Sequence, residues 1–563
     1  MLNHFTLTQK ITDKKVELAL KNQIMDEGDI YYGIPYDFKT GLCELRPCAG
    51  IASLFITEYY NPNSKYYKNM LLIQRAILAM QFIKERTNSD GSTDLLETNF
   101  HDATHNAFMI HDLGPAMLVM RDRMGDEEEE KLLYSLCMEF IEVSIDAMVN
   151  LGFHTPNHRW VESAAMALCY NILGWPALMD KINSYLSEGI DCDEYGEFTE
   201  RSMGSYNPIN VNAMMVMAEE LGKPELYEYA KRNLELTFFY HEGDGTIFTR
   251  NSRRLDSAQD RVYPGHIWYY LYLWAGELFG DAKYLKFADD MFRDSVMNGL
   301  GVPACLWLYL DRPQLKTLEP DLTGAAIPDS YHAFYPNSRI LRVRKGDFSY
   351  TLLSRNPDFM HIKFGRQTMT LRMCSSFFAV AQFEPETIEK TETGYRMTFR
   401  GHGEYKGLFP EPPASPDWDK MDHTKRPVIH SCDLDYTLDV TDLEDGVSLH
   451  IRVDNTPRVP FKLEFVLPTG VKLETEQVML NTTPGGELTI KEGDMRVEDM
   501  ATGSEVTVRG LFAEHTYHRN MRGSIPPRAN SFAVYSTDFS PIDRTVEIRF
   551  SKRTHARPMH EKL

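Results

Sequence analysis

The chain has 563 residues, more than a single hydrophobic core usually fills, so two domains are expected. Its hydrophobic content is 43%, its aromatic content is 12% and its formal net charge is −21. A nucleic-acid or anionic-membrane partner needs a basic face, so this charge argues against both kinds of partner. The charge leaves room for a small anionic substrate held in a local cationic pocket.

The first twenty residues lack the basic segment and apolar run of a signal peptide, and no run of about 18 apolar residues predicts a membrane span. The eight cysteines form no CxxC motif and no cysteine–histidine metal pattern. Buried free thiols in a reducing compartment explain them, so we expect a cytoplasmic protein. A mature secreted or periplasmic chain would have the same appearance.

Residues up to about 310 place apolar side chains at i, i+3, i+4 and i+7, the pattern of amphipathic helices. Helices are expected to end at Gly174, Gly222 and Gly280, and each time the next helix begins within a few residues, twice at a proline. Such short connections between helices, spaced by roughly fifty residues, are typical of stacked αα-hairpins. We therefore predict an incomplete (α/α) toroid as the catalytic domain, residues 1–330.

Residues 331–563 show a different period. Short stretches alternate apolar and polar residues and are separated by Gly, Asp, Asn and Pro turns. Many short strands at this spacing predict an antiparallel β-sandwich. The expected fold class is thus α+β with two domains, a helical toroid followed by a β-sandwich.

One apolar helix opens with the sequence NHRW, residues 157–160. In a structural interpretation, Asn157 is the N-cap behind Pro156 and Trp160 packs in the core. In a functional interpretation, the N–H groups and dipole of the helix N-terminus hold a carboxylate, with Asn157 and His158 as further donors. Trp160 would then offer a stacking face to a sugar.

A second stretch, ERSMGSYN, places Glu200, Arg201 and Tyr206 just before another apolar helix. A tyrosine in this position is usually structural. Cations nearby favour a phenolate, however, so Arg and His neighbours can bring a tyrosine below its ordinary pKa of about 10. Such a tyrosine can transfer protons, and we interpret Tyr206 as a candidate proton-transfer group.

Two more polar stretches interrupt apolar helices. The histidines of the first resemble metal spacing without completing a metal motif, so we interpret the stretch as the lining of a cleft. Its candidate substrate-binding residues are His101, His105 and Asn106. The arginines of the second suit an anionic ligand, because a guanidinium binds carboxylates well. Its candidates are Arg250, Arg253, Arg254 and His266.

Several common catalytic motifs are absent from the sequence. It contains no GxGxxG after a strand, no Walker loop, no GxSxG and no HExxH. Nucleotide, hydride-transfer and serine-hydrolase chemistry therefore have no support in the sequence.

Taken together, the helical region with its NHRW and GEFTERSMGSYN motifs and the β region that follows resemble the heparinase II/III-like polysaccharide lyases over roughly residues 40–550. The stretches DGTIFTRNSRRLD and HTYHRNMRGSIPP are also similar to this family. The resemblance implies β-elimination at C4 of a uronic acid, preferably glucuronate, with an unsaturated uronate as the product. With a cytoplasmic location, it favours exo action on oligosaccharides.

The resemblance also implies roles for individual residues. Asn157 and His158 would bind the uronate carboxylate, and Tyr206 would remove or return a proton. Arg201 would support Tyr206 or hold the substrate. If the leaving group and the C5 proton lay on opposite faces, a second group would be needed, with His105 or His266 as candidates.

No cofactor is expected. The β domain of this family often holds a structural metal, but no spacing in this sequence commits the available residues to one, so no metal is assigned. Those residues are His361, His402, His430 and Asp433 or Asp435. The expected partner is a uronate-containing oligosaccharide or polysaccharide, and the sequence is compatible with a homo-oligomer.

Three alternatives stay open at this point. A glycoside hydrolase of the same helical fold needs two carboxylates about 5 to 10 Å apart. Its candidates are Asp102, Asp112, Glu162 and Glu200. A uronate C5-epimerase would use the same tyrosine chemistry without cleavage, and a carbohydrate-binding protein would use the cleft without turnover.

Overall fold

The computed structural model describes residues 4–36, 40–258, 261–297, 299, 301, 305–319, 321–526 and 528–553. The chain divides into two compact units, Met1–Ile327 and Pro328–Leu563, whereas the sequence placed a boundary after residue 330. The first unit is helical and the second is built from antiparallel sheets. The predicted α+β class is confirmed.

The first unit contains the α-helices of the described residues. They are α1 (His4–Asn22), α2 (Leu45–Tyr60), α3 (Met70–Arg86), α4 (Ala103–Arg123), α5 (Glu128–Asn150), α6 (Pro156–Leu173), α7 (Pro176–Ser187), α8 (Tyr206–Glu220), α9 (Tyr227–Thr237), α10 (Tyr269–Phe279), α11 (Ala282–Met297) and α12 (Leu306–Asp311). In the part of the chain that the structure describes, no helix has the length and apolar character needed to cross a membrane.

These helices form successive hairpins. The pairs α2–α3, α4–α5, α6–α7, α8–α9 and α10–α11 pack side by side, and the first members α2, α4, α6, α8 and α10 also pack on one another in that order. Helix α12 packs against α2 and α4, and α1 packs against α2 and α12. This is the predicted incomplete toroid.

The predicted helix ends at Gly174 and Gly280 are confirmed, and α8 ends at Glu220, two residues before Gly222 with its φ of +62°. Gly174 and Gly280 follow α6 and α10 with φ of +67° and +64°, in the left-handed region that glycine adopts without a Cβ clash. Pro176 opens α7 at its first turn, where the missing N–H costs nothing. Two small hairpins insert between helices: β1 (Thr93–Leu95) with β2 (Asn99–Asp102), and β3 (Thr246–Ile247) with β4 (Tyr263–Pro264).

The second unit holds two large sheets. Its strands are β5 (Ser330–Tyr335), β6 (Ile340–Lys345), β7 (Phe348–Leu353), β8 (Met360–Phe364), β9 (Gln367–Ser375), β10 (Ile388–Lys390), β11 (Gly394–Lys406), β12 (Val428–Leu443), β13 (Gly446–Asp454), β14 (Pro460–Pro468), β15 (Lys472–Glu474), β16 (Met479–Asn481), β17 (Glu487–Thr489), β18 (Glu492–Asp499), β19 (Ser504–Phe512), β20 (Ser531–Phe539) and β21 (Ile542–Lys552).

One sheet has the order β10-β11-β12-β13-β21-β19-β18-β15-β16, and the other β17-β20-β14-β9-β8-β7-β6-β5. Neighbouring strands are antiparallel, and the parallel pair is β17 with β20. Alternate side chains of each sheet enter one shared apolar core; in β9 these are Met369, Leu371 and Met373. The sandwich predicted from the alternation is confirmed.

Candidate active site

The start of α6 differs from the structural interpretation of its sequence. The N-cap is Thr155 in extended conformation, and Pro156 occupies the first helical position. Proline suits that position because its φ is already helical and its missing N–H would have no partner there. Asn157 is therefore not the N-cap. It lies inside the first turn, fully buried, with its side chain available to contact other elements.

The Asn157 amide contacts a carboxylate of the chain itself. Its Nδ2 donates to Glu200 Oε1 at 3.0 Å and Oε2 at 2.9 Å, and to the Thr155 hydroxyl at 3.1 Å. Glu200 is only 3% exposed, and burial raises the pKa of its carboxyl, while the bond from Asn157 and the charge of Arg254 lower it. The carboxylate that the Asn157 amide binds in this structure is therefore that of Glu200, whereas the sequence predicted a uronate carboxylate as its partner.

Arg254 connects this pair to Tyr206. Its Nε lies 3.4 Å from Glu200 Oε1, and its guanidinium carbon lies 5.1 Å from the centre of the Tyr206 ring. The sequence interpretation gave the position beside Tyr206 to Arg201; the cation packed on the ring is Arg254, and the charge of Arg201 acts on Glu197. Among the described residues, the half-buried Tyr206 forms no hydrogen bond through its hydroxyl.

Backbone contacts fix the two segments that carry Glu200 and Arg254. The N–H of Arg253 donates to the Glu200 carbonyl at 3.0 Å, and the N–H of Gly204 donates to Asp256 Oδ2 at 3.0 Å. Gly204 admits no side chain, because a Cβ there would lie 2.7 Å from the Tyr263 ring. The close approach of the two segments sets the position of Arg254 over Tyr206.

His158, the next residue of α6, contacts a second buried group. Its Nδ1 lies 3.1 Å from the Thr104 hydroxyl, which in turn lies 2.7 Å from Glu162 Oε1. The Tyr185 hydroxyl donates to Glu162 Oε2 at 2.8 Å. Burial raises the pKa of Glu162 to about 7 and lowers that of His158 to about 4. His158 is therefore a neutral imidazole at neutral pH.

Trp160 was expected to stack on a sugar, and this expectation is wrong. The indole is fully buried, its Nε1 donates to Asp191 Oδ1 at 2.7 Å, and the Arg159 guanidinium covers the ring at 4.6 Å. A ring with no exposed face offers nothing to a ligand. Trp160 follows His158 by two positions, so it points from a different side of the helix.

The candidates near β2 are mostly structural. Asn106 is fully buried and donates to the Gly91 carbonyl and the Ser144 hydroxyl, both at 2.8 Å, so its predicted substrate contact is wrong. His105 is buried against Thr93 at 3.0 Å, and burial lowers its pKa to about 4. His101 of β2 is exposed, and its Nδ1 lies 2.7 Å from Asp90 Oδ2.

Of the remaining candidates, Arg250 donates through Nη1 to the carbonyls of Ser257 and Ala258, at 3.1 and 2.6 Å, and so braces its own loop. Arg253 is exposed. His266 is half-buried, with Nδ1 2.7 Å from the Ser295 hydroxyl, and burial lowers its pKa. The structure brings together Asn157, His158, Tyr206 and Arg254.

The histidines and aspartates considered for a metal in the β unit pair with other groups. His402 lies 2.6 Å from Asp433 and 3.2 Å from Glu404, while Asp435 binds Arg400 through both oxygens. Across the described ranges, no three His, Cys, Asp or Glu side chains are arranged to hold a metal ion.

The sequence interpretation did not assign a supporting role to Glu200, Glu162 or Thr104. Glu162 lies four residues after His158, which puts both on one face of α6, and this spacing was the available signal. Glu200 stands in the ERSMGSYN motif, but its contact with Asn157 joins elements 43 residues apart. No short sequence pattern predicts a contact between residues this far apart.

Comparisons with known proteins agree on the fold. No model of a known protein family matches the chain, and no curated protein sequence matches it. Solved structures match over nearly its whole length. A chondroitin AC lyase from Streptomyces coelicolor superposes with a TM-score of 0.55 at 11% identity, covering 98% of this chain and 80% of that one.

Two further solved structures are similar. A heparan sulfate lyase from Pedobacter heparinus gives a TM-score of 0.51 at 10% identity, over 97% of this chain and 84% of that one. A xanthan lyase from Paenibacillus gives 0.54 at 8% identity, over 98% of this chain and 57% of that one. These identities establish a shared fold, and the fold expected from the family resemblance is confirmed.

Proposed function

We propose that the chain is a polysaccharide lyase that cleaves the bond at C4 of a uronic acid by β-elimination and leaves an unsaturated uronate. The observation that carries the proposal is the contact chain Asn157–Glu200–Arg254–Tyr206, with His158 beside Asn157. Among the described residues the Tyr206 hydroxyl has no hydrogen-bond partner, and the Arg254 cation packs on the Tyr206 ring. Asn157 and His158 lie at the other end of this contact chain. The fold shared with solved polysaccharide lyases supports the same conclusion.

The reaction needs these groups for a physical reason. Removing the C5 proton builds negative charge on the adjacent carboxylate, and the site must stabilise that charge where it develops. We assign His158 to the carboxylate as a hydrogen-bond donor, with Arg254 as the nearby positive charge. Asn157, whose buried amide donates to Glu200 and Thr155, holds Glu200 beside Arg254. The Arg254–Glu200 pair has a 3.4 Å separation, and a carboxylate of the substrate can share this guanidinium.

We assign both proton transfers to Tyr206. It would take the C5 proton as a base and then return a proton to the leaving oxygen as an acid, which requires both to lie on one face of the sugar. The two histidines considered as a second group have other partners, since His105 is buried against Thr93 and His266 is bonded to Ser295. Their engagement favours the single-tyrosine route.

The carboxylates required by a glycoside hydrolase are engaged elsewhere. Asp112 is bound by Arg46 at 2.7 and 3.3 Å, and Asp102 caps α4 through the Thr104 N–H. Glu162 is fully buried, and Glu200 is held by Asn157. A hydrolase needs two carboxyl groups that face the substrate from opposite sides of the bond, so this arrangement favours the lyase.

The experiment is a screen of the full chain against oligosaccharides that end in glucuronate, iduronate or galacturonate. Ultraviolet absorbance and mass spectrometry of the products identify an unsaturated uronate. Tyr206→Phe should lose about 10² to 10⁴ in kcat. Tyr67→Phe, at a residue that is 50% exposed, is the matched control and should keep full activity.

The outcomes separate the alternatives. Cleavage that adds water and gives no absorbance would make the protein a hydrolase and overturn the proposal. Solvent deuterium at C5 without cleavage would make it an epimerase. Exo action predicts that an unsaturated monosaccharide is the first product, whereas a ladder of sizes in early samples would contradict it.

A further inference from the structure

The Thr104 hydroxyl stands between two groups that each ionise or change tautomer. It is 3.1 Å from His158 Nδ1 and 2.7 Å from Glu162 Oε1, and it is 1% exposed. A hydroxyl carries one hydrogen and donates to one of these atoms at a time. Thr104 therefore links the proton on His158 to the proton on Glu162.

Local structure fixes this geometry. Asp102 caps α4 by accepting the Thr104 N–H at 2.9 Å, which orients the first turn that carries Thr104. Glu162 follows His158 by four residues on α6, so both side chains face α4. Tyr185 of α7 holds the far oxygen of Glu162 at 2.8 Å.

Two hydrogen-bonding states fit these positions. When Glu162 is ionised, it accepts the Thr104 hydrogen, so Thr104 accepts Nδ1–H and Nε2 of His158 has a lone pair. When Glu162 is protonated, its O–H donates to Thr104, Thr104 donates to Nδ1, and His158 carries its hydrogen on Nε2. Only the second state offers a donor through Nε2.

We propose that Thr104 and Glu162 are positioning residues that set the tautomer of His158, so that His158 presents Nε2–H to an acidic ligand only while Glu162 is protonated. One proton enters at Nε2, the Nδ1 proton passes to Thr104 Oγ1, and the Thr104 proton passes to Glu162 Oε1. No heavy atom changes place. That the Nε2–H tautomer of His158 serves catalysis rests on the proposed function. That Glu162 sets the tautomer does not depend on the proposed function.

Burial supports a switch near neutral pH. It raises the pKa of Glu162 to about 7 and lowers that of His158 to about 4, so His158 stays neutral while Glu162 titrates. The charged and titratable groups that face the pair from neighbouring elements are Asp102, His154, Lys181, Tyr185 and Arg254. Their effects are smaller than burial, which has the largest influence on both groups.

The test reads the tautomer directly. Nitrogen-15 shifts of histidine-labelled protein, assigned by the signal that His158→Gln removes, should show Nε2–H at pH 5.5 and Nδ1–H at pH 8.5. In Glu162→Gln the amide donates to Thr104 at every pH, so Nε2–H should persist at both values. Thr104→Val should abolish the coupling and Thr104→Ser should restore it, with circular dichroism of each variant as the check on folding.

Activity gives a second readout. Above pH 7 the ratio of Glu162→Gln to wild-type kcat/KM should rise about tenfold per pH unit, because the protonated fraction of Glu162 falls by that factor. One His158 tautomer at both pH values in the wild type, or a switch that survives in Glu162→Gln, would overturn the relay. A switching tautomer in a protein that cleaves no uronate would leave the relay standing and refute the proposed function.

Discussion

Arg254 covers the ring of Tyr206, with its guanidinium carbon 5.1 Å from the ring centre. The two residues lie 48 positions apart in the sequence, and both segments are fixed by the backbone contacts around Gly204. A guanidinium at this distance attracts the electron-rich face of the ring. The pair therefore connects the tyrosine that we propose transfers protons with the residues around Glu200.

Replacing Arg254 by alanine should lower kcat by about 10² to 10³, because the site loses the cation beside the developing negative charge. Arg254→Lys should recover only part of this, since an ammonium cannot lie flat on the ring while it pairs with Glu200. Steady-state kinetics on the uronate substrate measure both. Arg121→Ala, at an exposed arginine of α4, is the control, and equal losses in the two alanine variants would contradict the assignment.

Glu200→Gln should separate kcat from KM. The glutamine keeps an oxygen for the Asn157 amide but removes the charge that pairs with Arg254 at 3.4 Å. We expect kcat to fall about tenfold, because Arg254 is no longer held in place. KM should fall about threefold, since a negative charge near the substrate carboxylate is gone. A variant with unchanged kcat would show that Glu200 does not position Arg254.

Much of the fold could be predicted from local pattern. Glycine adopts the left-handed backbone conformation that ends many helices, so the positions of Gly174 and Gly280 in the sequence were enough to predict two helix ends. The change from a helical to a two-residue period likewise predicted the β-sandwich. The glycine and proline positions and the period of apolar residues are both local features of the sequence. Neither depends on which helices and strands pack together in the fold.

The arrangement of the candidate site depends on contacts between segments that are far apart in the sequence, and no local sequence pattern predicts these contacts. Arg201 lies five residues before Tyr206 in the sequence and Arg254 lies 48 residues after it, and only the packing of two loops places Arg254 on the ring. Trp160 and Asn106 were predicted to contact a ligand from their chemistry, but their burial is decided by neighbouring helices. Polar residues inside a helical unit bond to one another as readily as to a ligand.

Trp160→Phe should affect stability and leave substrate binding unchanged. The change removes the hydrogen bond from Nε1 to Asp191, 2.7 Å long, and leaves a small cavity in a fully buried position. We expect a loss of about 1 to 3 kcal/mol in the free energy of unfolding. Urea unfolding measures this loss, and KM should stay within about twofold of the wild type. A large rise in KM at unchanged stability would restore Trp160 as a sugar-binding residue.

The stability of the helical unit should fall as pH rises from about 4.5 to 7, because of Glu197. This carboxyl is buried, accepts from Asn207 at 2.7 Å and from Tyr240 at 3.0 Å, and burial raises its pKa to about 7. A raised pKa means that the folded state binds the proton more tightly than the unfolded state. Stability from this group is therefore full below the unfolded pKa and is lost as pH rises through the folded value.

Comparing Glu197→Gln with the wild type isolates this effect. Between pH 5 and pH 8 the wild type should lose about 2 to 3 kcal/mol relative to Glu197→Gln, in urea unfolding followed by the far-ultraviolet helix signal. Glu225→Gln, at an exposed glutamate, is the control and should follow the wild type at both pH values. A difference between wild type and Glu197→Gln that does not change with pH would mean that Glu197 keeps the same charge in the folded and unfolded chain.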